Sequence, residues 1–338
     1  MIRDARALRD SFVPADLEHR NAEIGHLSSL LKLIEDGESG SDILITGPSG
    51  AGKTTLARFV ANELERATLN VRTAYVNCLS NSTNAAVLHT LMRDAGLGLD
   101  FDRASTPVHE YLARIGNRNE QFVIVLDEVD VLEDPSLIAM LYDIDNVTTM
   151  MVCVSEDAFL STLDMRVESR VRAAASVVLE KYRDDELADI IRARVDHGLV
   201  PGAVDEATIK HIADRAAGDA RLAITKLRRA AQLADLQELD ALSPGLVDDV
   251  ADGAAGEVHE RNVERLSTHK RLLYDIVKRH GEVSSTDLHA AYEEHISAPK
   301  SKATRRRYLG ALERYRLIEQ EGATRGTRYR LVEPQSIE

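Results

Sequence analysis

The sequence predicts an α/β P-loop core, built as a parallel sheet with crossover helices, followed by a helical lid bundle and a C-terminal winged helix-turn-helix domain. Three observations lead to this fold class: a glycine-rich run directly after an apolar strand, apolar segments that alternate with helical patterns, and a basic end on an acidic chain. At 338 residues the chain is long enough for two or three domains with their own cores.

The glycine-rich run follows the apolar segment Ile43–Ile45 and reads GPSGAGKT from Gly47 to Thr54. Between a strand and a helix, such a run predicts a nucleoside triphosphate site: backbone N–H groups surround a phosphate, Lys53 reaches the β- and γ-phosphates, and Thr54 offers its hydroxyl to Mg²⁺. A glycine-rich turn with an incidental lysine is the alternative, and this context argues against it. The predicted nucleotide contacts here are Gly47, Gly50, Ala51, Gly52, Lys53, Thr54 and Thr55.

Two adjacent carboxylates follow the most apolar segment, Phe122–Leu126. A buried parallel strand would deliver Asp127 and Glu128 to its carboxyl end, where ligands of such sheets bind. Asp127, with Thr54, is the predicted holder of Mg²⁺, and Glu128 is placed to polarise an attacking water. The pair therefore predicts hydrolysis of the nucleotide. The alternative is an acidic strand end that faces solvent and has no catalytic role, and the P-loop nearby argues against it.

The remaining elements of the core and of the bundle follow from hydrophobic periodicity. The predicted strands are Ile43–Thr46, Val71–Asn77, Phe122–Leu126, Met150–Ser155 and Ser176–Leu179, and the predicted bundle helices are Glu186–Val195, Ala207–Ala216 and Ala220–Leu236. Small residues and two glycines predict a linker at Ala251–Glu257. We therefore expect a P-loop core over residues 1–182, a helical lid over 183–256 and a winged helix over 257–338.

The C-terminal domain is predicted as three helices, Val263–His280, Ser285–Ile296 and one from Ser301 to Arg316, and a hairpin of Leu317–Gln320 and Thr327–Val332. On the third helix, one side carries the core residues Tyr308, Leu309, Leu312 and Tyr315, and the opposite side carries Arg306, Arg307, Gly310 and Arg314.

A helix with a basic exposed face fits the major groove of DNA, and a hairpin loop can reach neighbouring phosphates. The predicted DNA contacts are Lys302, Arg306, Arg307 and Arg314 on the helix, and Arg325 and Arg328 on the hairpin. Winged helices also serve as protein-interaction modules, so a face that docks protein, or has no partner, is the alternative.

Charge and cysteine content narrow the class of protein. Residues 265–338 hold 15 Lys and Arg against 10 Asp and Glu, so the total of −14 leaves −19 for the rest of the chain. An acidic, lysine-poor surface suits concentrated salt, or serves solubility alone. The two cysteines are expected to be buried in strands, in a reducing compartment. Without a membrane span or a signal peptide, we expect a cytoplasmic protein with no membrane partner.

Taken together, these residues resemble the archaeal replication initiators related to the eukaryotic origin recognition complex and its helicase loader, which are AAA+ ATPases. The resemblance covers nearly the whole chain. It includes the P-loop, Asp127-Glu128-Val129-Asp130, the winged helix, and the segments Phe12-Val13-Pro14, His19-Arg20, Leu163–Arg170 and Gly218-Asp219-Ala220-Arg221. The resemblance implies binding of ATP or ADP with Mg²⁺, recognition of origin duplex DNA, and recruitment of a minichromosome-maintenance-type helicase, with other initiator paralogues as further partners.

The resemblance also implies roles for residues outside the P-loop. Val13 and Pro14 resemble the family's adenine-side contacts, and Tyr182 and Arg194 its nucleotide-contacting lid residues. Arg221 matches the second sensor, a guanidinium that reaches the γ-phosphate from the lid. Arg170, or alternatively Arg166, resembles the arginine offered to a neighbouring subunit's γ-phosphate, and a surface ion pair is the alternative for each arginine.

One departure from the family pattern concerns the first sensor, commonly an asparagine that orients the lytic water. This chain has Val154-Ser155-Glu156-Asp157 there, and Ser155 is the expected substitute. A serine hydroxyl is shorter than a carboxamide and has one donor, so we expect slow hydrolysis that acts as a switch.

Two other functions fit all or part of these features. A nucleotide-gated DNA-binding transcriptional regulator would need the same P-loop and winged helix without a role in initiation. A clamp-loader or transposition-accessory ATPase would explain the P-loop core but not the basic winged helix.

Overall fold

The computed structural model describes residues 1–9, 12–14, 17–35, 38, 40–98, 100–322 and 326–332. The chain divides into two units by proximity. One unit contains Ser11–Ile190 and Ala217–Ala220, and the other contains Met1–Asp10, Ile191–Ala216 and Arg221–Glu338. The predicted division into three domains, at residues 182/183 and 256/257, stays a prediction.

A five-stranded parallel sheet is the centre of the first unit. Its strands are β1 (Ile43–Thr46), β2 (Val71–Asn77), β3 (Gln121–Asp127), β4 (Val147–Val152) and β5 (Ala175–Val178), in the order β2-β3-β4-β1-β5. Strands β1 and β4 are buried along their whole length, as expected for a parallel sheet covered by helices on both faces. Because β4 lies between β1 and β3, three loops that follow these strands meet at one edge.

The helices of this unit connect or cover the strands. They are α1 (Asn21–Glu35), α2 (Lys53–Ala67), α3 (Asn84–Asp94), α4 (Val108–Gly116), α5 (Ser136–Tyr142), α6 (Glu156–Leu160) and α7 (Met165–Ala173). Helix α2 follows the P-loop and buries an apolar stripe formed by Leu56, Ala57, Val60, Ala61 and Leu64. The stripe repeats at three- and four-residue spacing, which holds the first turn of α2 against the sheet.

The second unit contains most of a helical bundle and a winged helix. The bundle helices are α8 (Asp184–Gly198), α9 (Glu206–Asp214), α10 (Ala220–Leu236), α11 (Pro244–Asp249) and α12 (Ala251–Glu264). The division between the units falls within α8. The winged helix comprises α13 (Thr268–His280), β6 (Glu282–Ser284), α14 (Ser285–Glu294), α15 (Lys302–Arg314), β7 (Ile318–Glu321) and β8 (Arg328–Leu331), with antiparallel strands in the order β6-β8-β7.

Most predicted elements are confirmed to within a few residues, and three predictions are wrong in detail. The strand predicted at Met150–Ser155 occupies Val147–Val152 instead, because Thr148 and Thr149 pair with β3 and are completely buried. Strand β6, which pairs with the predicted hairpin, was not predicted, because three residues carry too little alternation to be recognised.

The predicted linker at Ala251–Glu257 is the first half of helix α12. Its glycines do not break the helix, and Glu257 within it is held by three guanidinium groups. Arg228 donates to Oε1, Arg229 to Oε2 at 3.3 Å, and Arg261 to Oε1 at 2.7 Å. Contacts of this kind between distant residues cannot be read from local composition.

The long helix predicted at Val263–His280 is interrupted. Helix α12 ends at Glu264, and Ser267 has the extended backbone of an N-cap (φ −63°, ψ 159°) before α13 begins. A serine at the N-cap position is typical of the start of a new helix. Within the described parts of the chain, no helix is both long and apolar enough to cross a bilayer.

We predict that Glu257→Gln lowers the free energy of unfolding by about 1–3 kcal/mol, because it removes the charge that faces Arg228, Arg229 and Arg261. Burial acts to raise the pKa of Glu257, but the Arg228 contact and the charge of Arg261 outweigh burial and hold the pKa below its ordinary value. The stabilising contribution is therefore present above the ordinary pKa of glutamate and is lost as the pH falls through ~4 and below.

Urea unfolding at neutral and acidic pH measures this effect. Glu260→Gln is the matched control, because Glu260 is exposed on the same helix. The role of Glu257 would be disproved if both variants unfolded at the urea midpoint of the parent chain.

Candidate functional site

The loop between β1 and α2, residues Gly47–Gly52, requires glycine for two distinct reasons. Gly50 (φ 74°) and Gly52 (φ 87°) both have the left-handed backbone that side chains disfavour. A Cβ on Gly50 would also lie 2.1 Å from Oδ1 of Asp219, and one on Gly52 would lie 2.6 Å from the Tyr182 hydroxyl. The loop is therefore shaped both by its own backbone and by neighbours that approach it closely.

Lys53 and Thr54 begin helix α2, as predicted, and both are half-buried. The Lys53 ammonium donates to the carbonyl oxygens of Gly47 and Pro48, each at 2.7 Å. These contacts hold the lysine across the concave side of the loop, where the backbone N–H groups of a P-loop converge. Thr55 is half-buried in the same turn.

The Asp127 carboxylate ends β3 and is almost fully buried, with 3% of its surface exposed. Oδ1 accepts from the Thr54 hydroxyl at 3.1 Å. Oδ2 accepts from Thr54 at 3.0 Å, from the Tyr75 hydroxyl at 2.8 Å and from the Asn77 amide at 3.3 Å. The contacts satisfy a buried charge, which would otherwise carry a large desolvation cost.

Sequence reasoning did not identify Tyr75 or Asn77. Burial, and then the negative charge of Asp127, raise the pKa of Tyr75 above its ordinary value, so the hydroxyl remains a donor. The signal available in the sequence was the alternation of β2, which places both side chains on one face, but not the identity of the group they face.

The residues at this corner fit a magnesium ion. The Thr54 hydroxyl and the Asp127 carboxylate are hard oxygen donors that lie about one hydrogen bond apart. Mg²⁺ is typically held by one or two such protein ligands together with phosphate oxygens and water. Among the described residues there is no group of three or more His, Cys, Asp or Glu side chains that could hold a metal ion by themselves.

Glu128 lies directly after Asp127 and has a left-handed backbone (φ 56°, ψ 44°). A glutamate in this conformation is strained by about 1 kcal/mol or more, and such strain is concentrated at functional sites. Asp127 remains in the strand, and Glu128 begins a short 3₁₀ turn at Val129–Val131.

Ser155 lies between the P-loop and Asp127 in the strand order, because it follows β4. The Cys153 N–H donates to Ile45 at 3.1 Å, and the Gly47 N–H donates to the carbonyl of Val154 at 3.2 Å, so the segment before Ser155 runs beside the P-loop. The Ser155 side chain caps helix α6 by accepting from the Ala158 N–H at 3.3 Å. Its hydroxyl proton is still available as a donor.

Arg20 is a further residue that sequence reasoning gave no role. It is buried, donates to the carbonyl of Ala51 (3.0 Å), to that of Glu180 (3.2 Å) and to the Tyr182 hydroxyl (3.2 Å), and its guanidinium lies 4.1 Å from the Tyr182 ring centre. Burial raises the pKa of Tyr182, against the opposing charge of Arg20. Arg20 thus joins the P-loop backbone to a tyrosine predicted to contact nucleotide.

Arg170 lies on α7, where it contacts groups of its own chain. Its guanidinium is 4.3 Å from the ring centre of Tyr142 and forms an ion pair with Asp143 at 3.2 Å, and Arg166 pairs with the same carboxylate at 2.9 Å. Arg166 is 68% exposed and Arg170 35%. Both candidate arginines are therefore at a surface that a neighbouring molecule can reach, and Arg166 is the more accessible.

The other predicted nucleotide contacts are placed as follows. Val13 and Pro14 are half-buried in the unit that contains the P-loop. Arg194 is buried in the other unit, where it donates to the carbonyl of Ala7 at 2.8 Å. Arg221 is half-buried in the first turn of α10, and its carbonyl accepts from the Thr225 hydroxyl at 2.8 Å.

Helix α15 presents part of the basic face that the sequence predicts. Tyr308, Leu309 and Leu312 are buried, as expected. Lys302 and Arg306 are exposed, whereas Arg307 and Arg314 are half-buried. Arg328 is exposed on β8 and forms an ion pair with Glu282 at 2.6 Å, and Arg325 lies outside the described residues.

The amino-terminal half of α15 creates a positive field. Burial, followed by the charges of Arg305, Lys302 and Arg306, lowers the pKa of the neighbouring His289. Arg305 itself is buried and binds the carbonyl of His289 (3.1 Å) and the Glu293 carboxylate (2.6 Å), so it joins α15 to α14. Its neighbours Arg306 and Lys302 remain available at the surface.

Comparison with protein families matches both units. A family model described as an AAA domain matches residues 38–156, and one described as the Cdc6 AAA+ ATPase-type lid domain matches residues 188–252. Two curated relatives from Halobacterium salinarum are named ORC1-type DNA replication proteins 9 and 1. They are 39% and 36% identical to this chain, over 98% and 89% of it and 94% and 98% of their own lengths.

Solved structures of archaeal ORC1 and Cdc6 proteins resemble this chain over nearly its whole length. The Aeropyrum pernix ORC1 protein in complex with DNA has a TM-score of 0.74 and 25% identity, over 98% of this chain and 94% of that one. The Pyrobaculum aerophilum Cdc6p structure has a TM-score of 0.64 over 100% and 97% of the chains, and at 22% identity it supports the fold alone.

We predict that Gly52→Ala lowers the free energy of unfolding by about 1–3 kcal/mol, because the new Cβ would meet the Tyr182 hydroxyl on a left-handed backbone. Gly25→Ala is the matched control: Gly25 lies inside α1 with no atom near its Cβ position, so the change should raise stability by up to ~1 kcal/mol. Chemical denaturation measures both, and equal stability of Gly52→Ala and the parent chain would refute the steric argument.

Proposed function

The chain belongs to the family of ORC1-type DNA replication proteins, and from that premise we propose that it is an ATP-dependent replication initiator whose slow hydrolysis switches its binding of origin duplex DNA. The observation that carries the proposal is the contact between Thr54 of the P-loop and the buried Asp127 carboxylate. The two family models make the core an ATPase of the AAA+ class. The names of the relatives favour replication over transcriptional regulation.

In the proposed mechanism the P-loop backbone and Lys53 bind the β- and γ-phosphates of ATP. Lys53 exchanges its two carbonyl contacts for phosphate oxygens, which bind an ammonium more strongly because they are charged. Thr54 and Asp127 would hold Mg²⁺, which when bound neutralises charge on the phosphates. The buried donors around Asp127 keep its carboxylate in one orientation for this task.

Glu128 is the proposed group that polarises the attacking water, because it directly follows Asp127 at the carboxyl end of β3, on a left-handed backbone. Ser155 is the proposed first sensor. Its hydroxyl oxygen already accepts the capping bond from Ala158, which leaves one proton to orient water or phosphate. This limited capacity supports slow turnover.

Two arginines have proposed roles at a γ-phosphate. Arg221 is the proposed second sensor, and it directly follows Ala220, whose N–H donates to the P-loop carbonyl of Gly50 at 3.1 Å. Arg170 is the proposed contribution to the γ-phosphate of a neighbouring subunit, a role that would require it to leave Asp143. Val13, Pro14, Tyr182 and Arg194 are the proposed contacts to the remainder of the nucleotide.

Recognition of DNA is proposed for the winged helix. Lys302 and Arg306 are exposed on α15, the helix expected to enter the major groove, and Arg307 and Arg314 flank them. Arg328, and Arg325 beyond the described residues, are proposed phosphate contacts of the wing. The Aeropyrum pernix ORC1 protein was solved in complex with DNA, and its likeness to this chain supports an interface with duplex DNA here.

Recruitment of a minichromosome-maintenance-type helicase, and association with other initiator paralogues, are further parts of the proposal. They depend on the family alone. The three-domain division at residues 182/183 and 256/257 is proposed in the same sense, with the second boundary placed inside helix α12.

We predict that Lys53→Ala loses ATP binding, whereas Glu128→Gln keeps binding and lowers turnover by at least ~100-fold. The first change removes the phosphate-binding charge, and the second removes only the proposed base. Binding of a fluorescent ATP analogue and release of phosphate measure the two effects, and the parent rate should fall well below the ~10 s⁻¹ typical of enzymes.

Glu63→Gln is the control, because Glu63 is exposed on α2 and pairs only with Arg66 among the described ion pairs. Turnover at the parent rate in Glu128→Gln would rule out Glu128 as the base.

We predict that Arg306→Ala combined with Arg307→Ala weakens origin binding by about 1–3 kcal/mol for each arginine that reads a base, with a smaller effect on scrambled duplex. Arg328→Ala should instead weaken binding to both duplexes equally. It should also reduce the slope of log affinity against log salt concentration by about one, as expected for a phosphate contact. Titrations of labelled origin and scrambled duplex across salt concentrations give both quantities.

Arg66→Ala is the control for charge alone, because Arg66 is exposed on α2. An unchanged ratio of origin to scrambled affinity in the double variant would show that α15 does not read the sequence.

A further inference from the structure

Tyr75 connects the edge of the sheet to the carboxylate proposed to hold magnesium. Its hydroxyl donates to Oδ2 of Asp127 at 2.8 Å, the shortest of the contacts that this carboxylate accepts from described residues. Thr54 is shared between both oxygens, and Asn77 contacts Oδ2 at 3.3 Å. Tyr75 is therefore the donor best placed to fix the rotation of the carboxylate.

The register of the sheet explains this placement. In the parallel pair of β2 and β3, Asn77 lies opposite Asp127 and Tyr75 lies opposite Val125. Side chains two residues apart on a strand share a face, so Tyr75 and Asn77 both lie on the face of Asp127. From two pairs earlier in the register, a tyrosine is long enough to bring its hydroxyl to the carboxylate.

Tyr75 is itself fixed on two sides. Its backbone N–H donates to Oδ2 of Asp94, a residue of α3, at 2.7 Å, and the Arg58 guanidinium of α2 lies 4.9 Å from its ring centre. Because β2 is an edge strand, the Asp94 contact also satisfies a backbone group that has no strand partner. The backbone of Tyr75 is thus held by α3 and its ring lies against Arg58 of α2, with the hydroxyl on Asp127.

We propose that Tyr75 is a positioning residue for magnesium: by binding Oδ2 of Asp127 it holds the carboxylate so that Oδ1 and the Thr54 hydroxyl serve the metal. The proposal rests on the proposed function, because it assumes an ATP site that uses Mg²⁺. Residues that hydrogen-bond to a metal ligand, without touching the metal themselves, orient that ligand. Their loss typically weakens metal affinity by 10- to 100-fold.

The test compares nucleotide binding with and without the metal in Tyr75→Phe, which keeps the ring and its contact with Arg58. A fluorescent ATP analogue is titrated in excess EDTA and then at increasing Mg²⁺. In EDTA, we expect Tyr75→Phe to bind the analogue with the affinity of the parent chain. As Mg²⁺ is added, we expect the concentration that gives half of the metal-dependent increase in affinity to be about 10-fold higher in the variant.

Tyr111→Phe is the matched control. It also removes the hydroxyl of one buried tyrosine, which contacts His89 at 3.3 Å. Both residues lie on the helices between β2 and β3, so the change should leave the Mg²⁺ dependence unchanged. Asp127→Asn is the reference for removal of a metal ligand and should largely abolish the metal-dependent gain. Thermal unfolding confirms that each variant is folded.

The outcomes separate the two proposals. Parent-like Mg²⁺ dependence in folded Tyr75→Phe would overturn the role of Tyr75 and leave the ATP site intact. A parent chain that binds nucleotide without any dependence on Mg²⁺ would overturn the proposed metal site and, with it, the role of Tyr75. An equal loss of affinity with and without Mg²⁺ would show a purely structural role and would also refute the inference.

Discussion

The buried carboxylate of Asp127 is the constraint around which the nucleotide end of the sheet is organised. A charge with 3% of its surface exposed must be surrounded by donors, and here they come from two different elements. Thr54 belongs to the P-loop helix, and Tyr75 and Asn77 belong to the neighbouring strand. The need to satisfy one charge therefore fixes the P-loop helix and strand β2 relative to β3, which is the preorganisation that phosphate chemistry requires.

A second set of contacts holds the other side of the P-loop. Arg20 binds the Ala51 carbonyl and the Tyr182 hydroxyl, and that hydroxyl lies 2.6 Å from the position that a Cβ on Gly52 would take. The carboxylate of Asp219 approaches Gly50 in the same way. Since bound phosphates carry several negative charges, Asp219 is the group in this set that they would repel. The glycines are thus required by neighbouring side chains as well as by phosphate binding.

Much of the fold and of the site could be predicted because its signals are local. The P-loop between a strand and a helix, and Asp127 at the end of β3, each depend on a few consecutive residues, and the structure has these elements where they were predicted. Among the strands of the parallel sheet, β4 was predicted three residues too late. Tyr75 was missed, and Arg20 was given no role, because their contacts are with partners 52 and 162 residues away. Helix α12 was mistaken for a linker for the same reason, because its three arginine contacts to Glu257 involve two residues of another helix.

The winged helix shows how folding limits the charge that is available for recognition. Arg305, Arg306 and Arg307 are consecutive, yet Arg305 is buried against Glu293 and the ring of Tyr292, and only Arg306 is exposed. On the wing, Arg328 is neutralised in part by Glu282. Among the basic residues of α15 that were predicted to contact DNA, the exposed ones are therefore Lys302 and Arg306, near the start of the helix. Because the rest of the chain is strongly acidic and repels DNA without regard to sequence, binding must depend on close contacts at this helix.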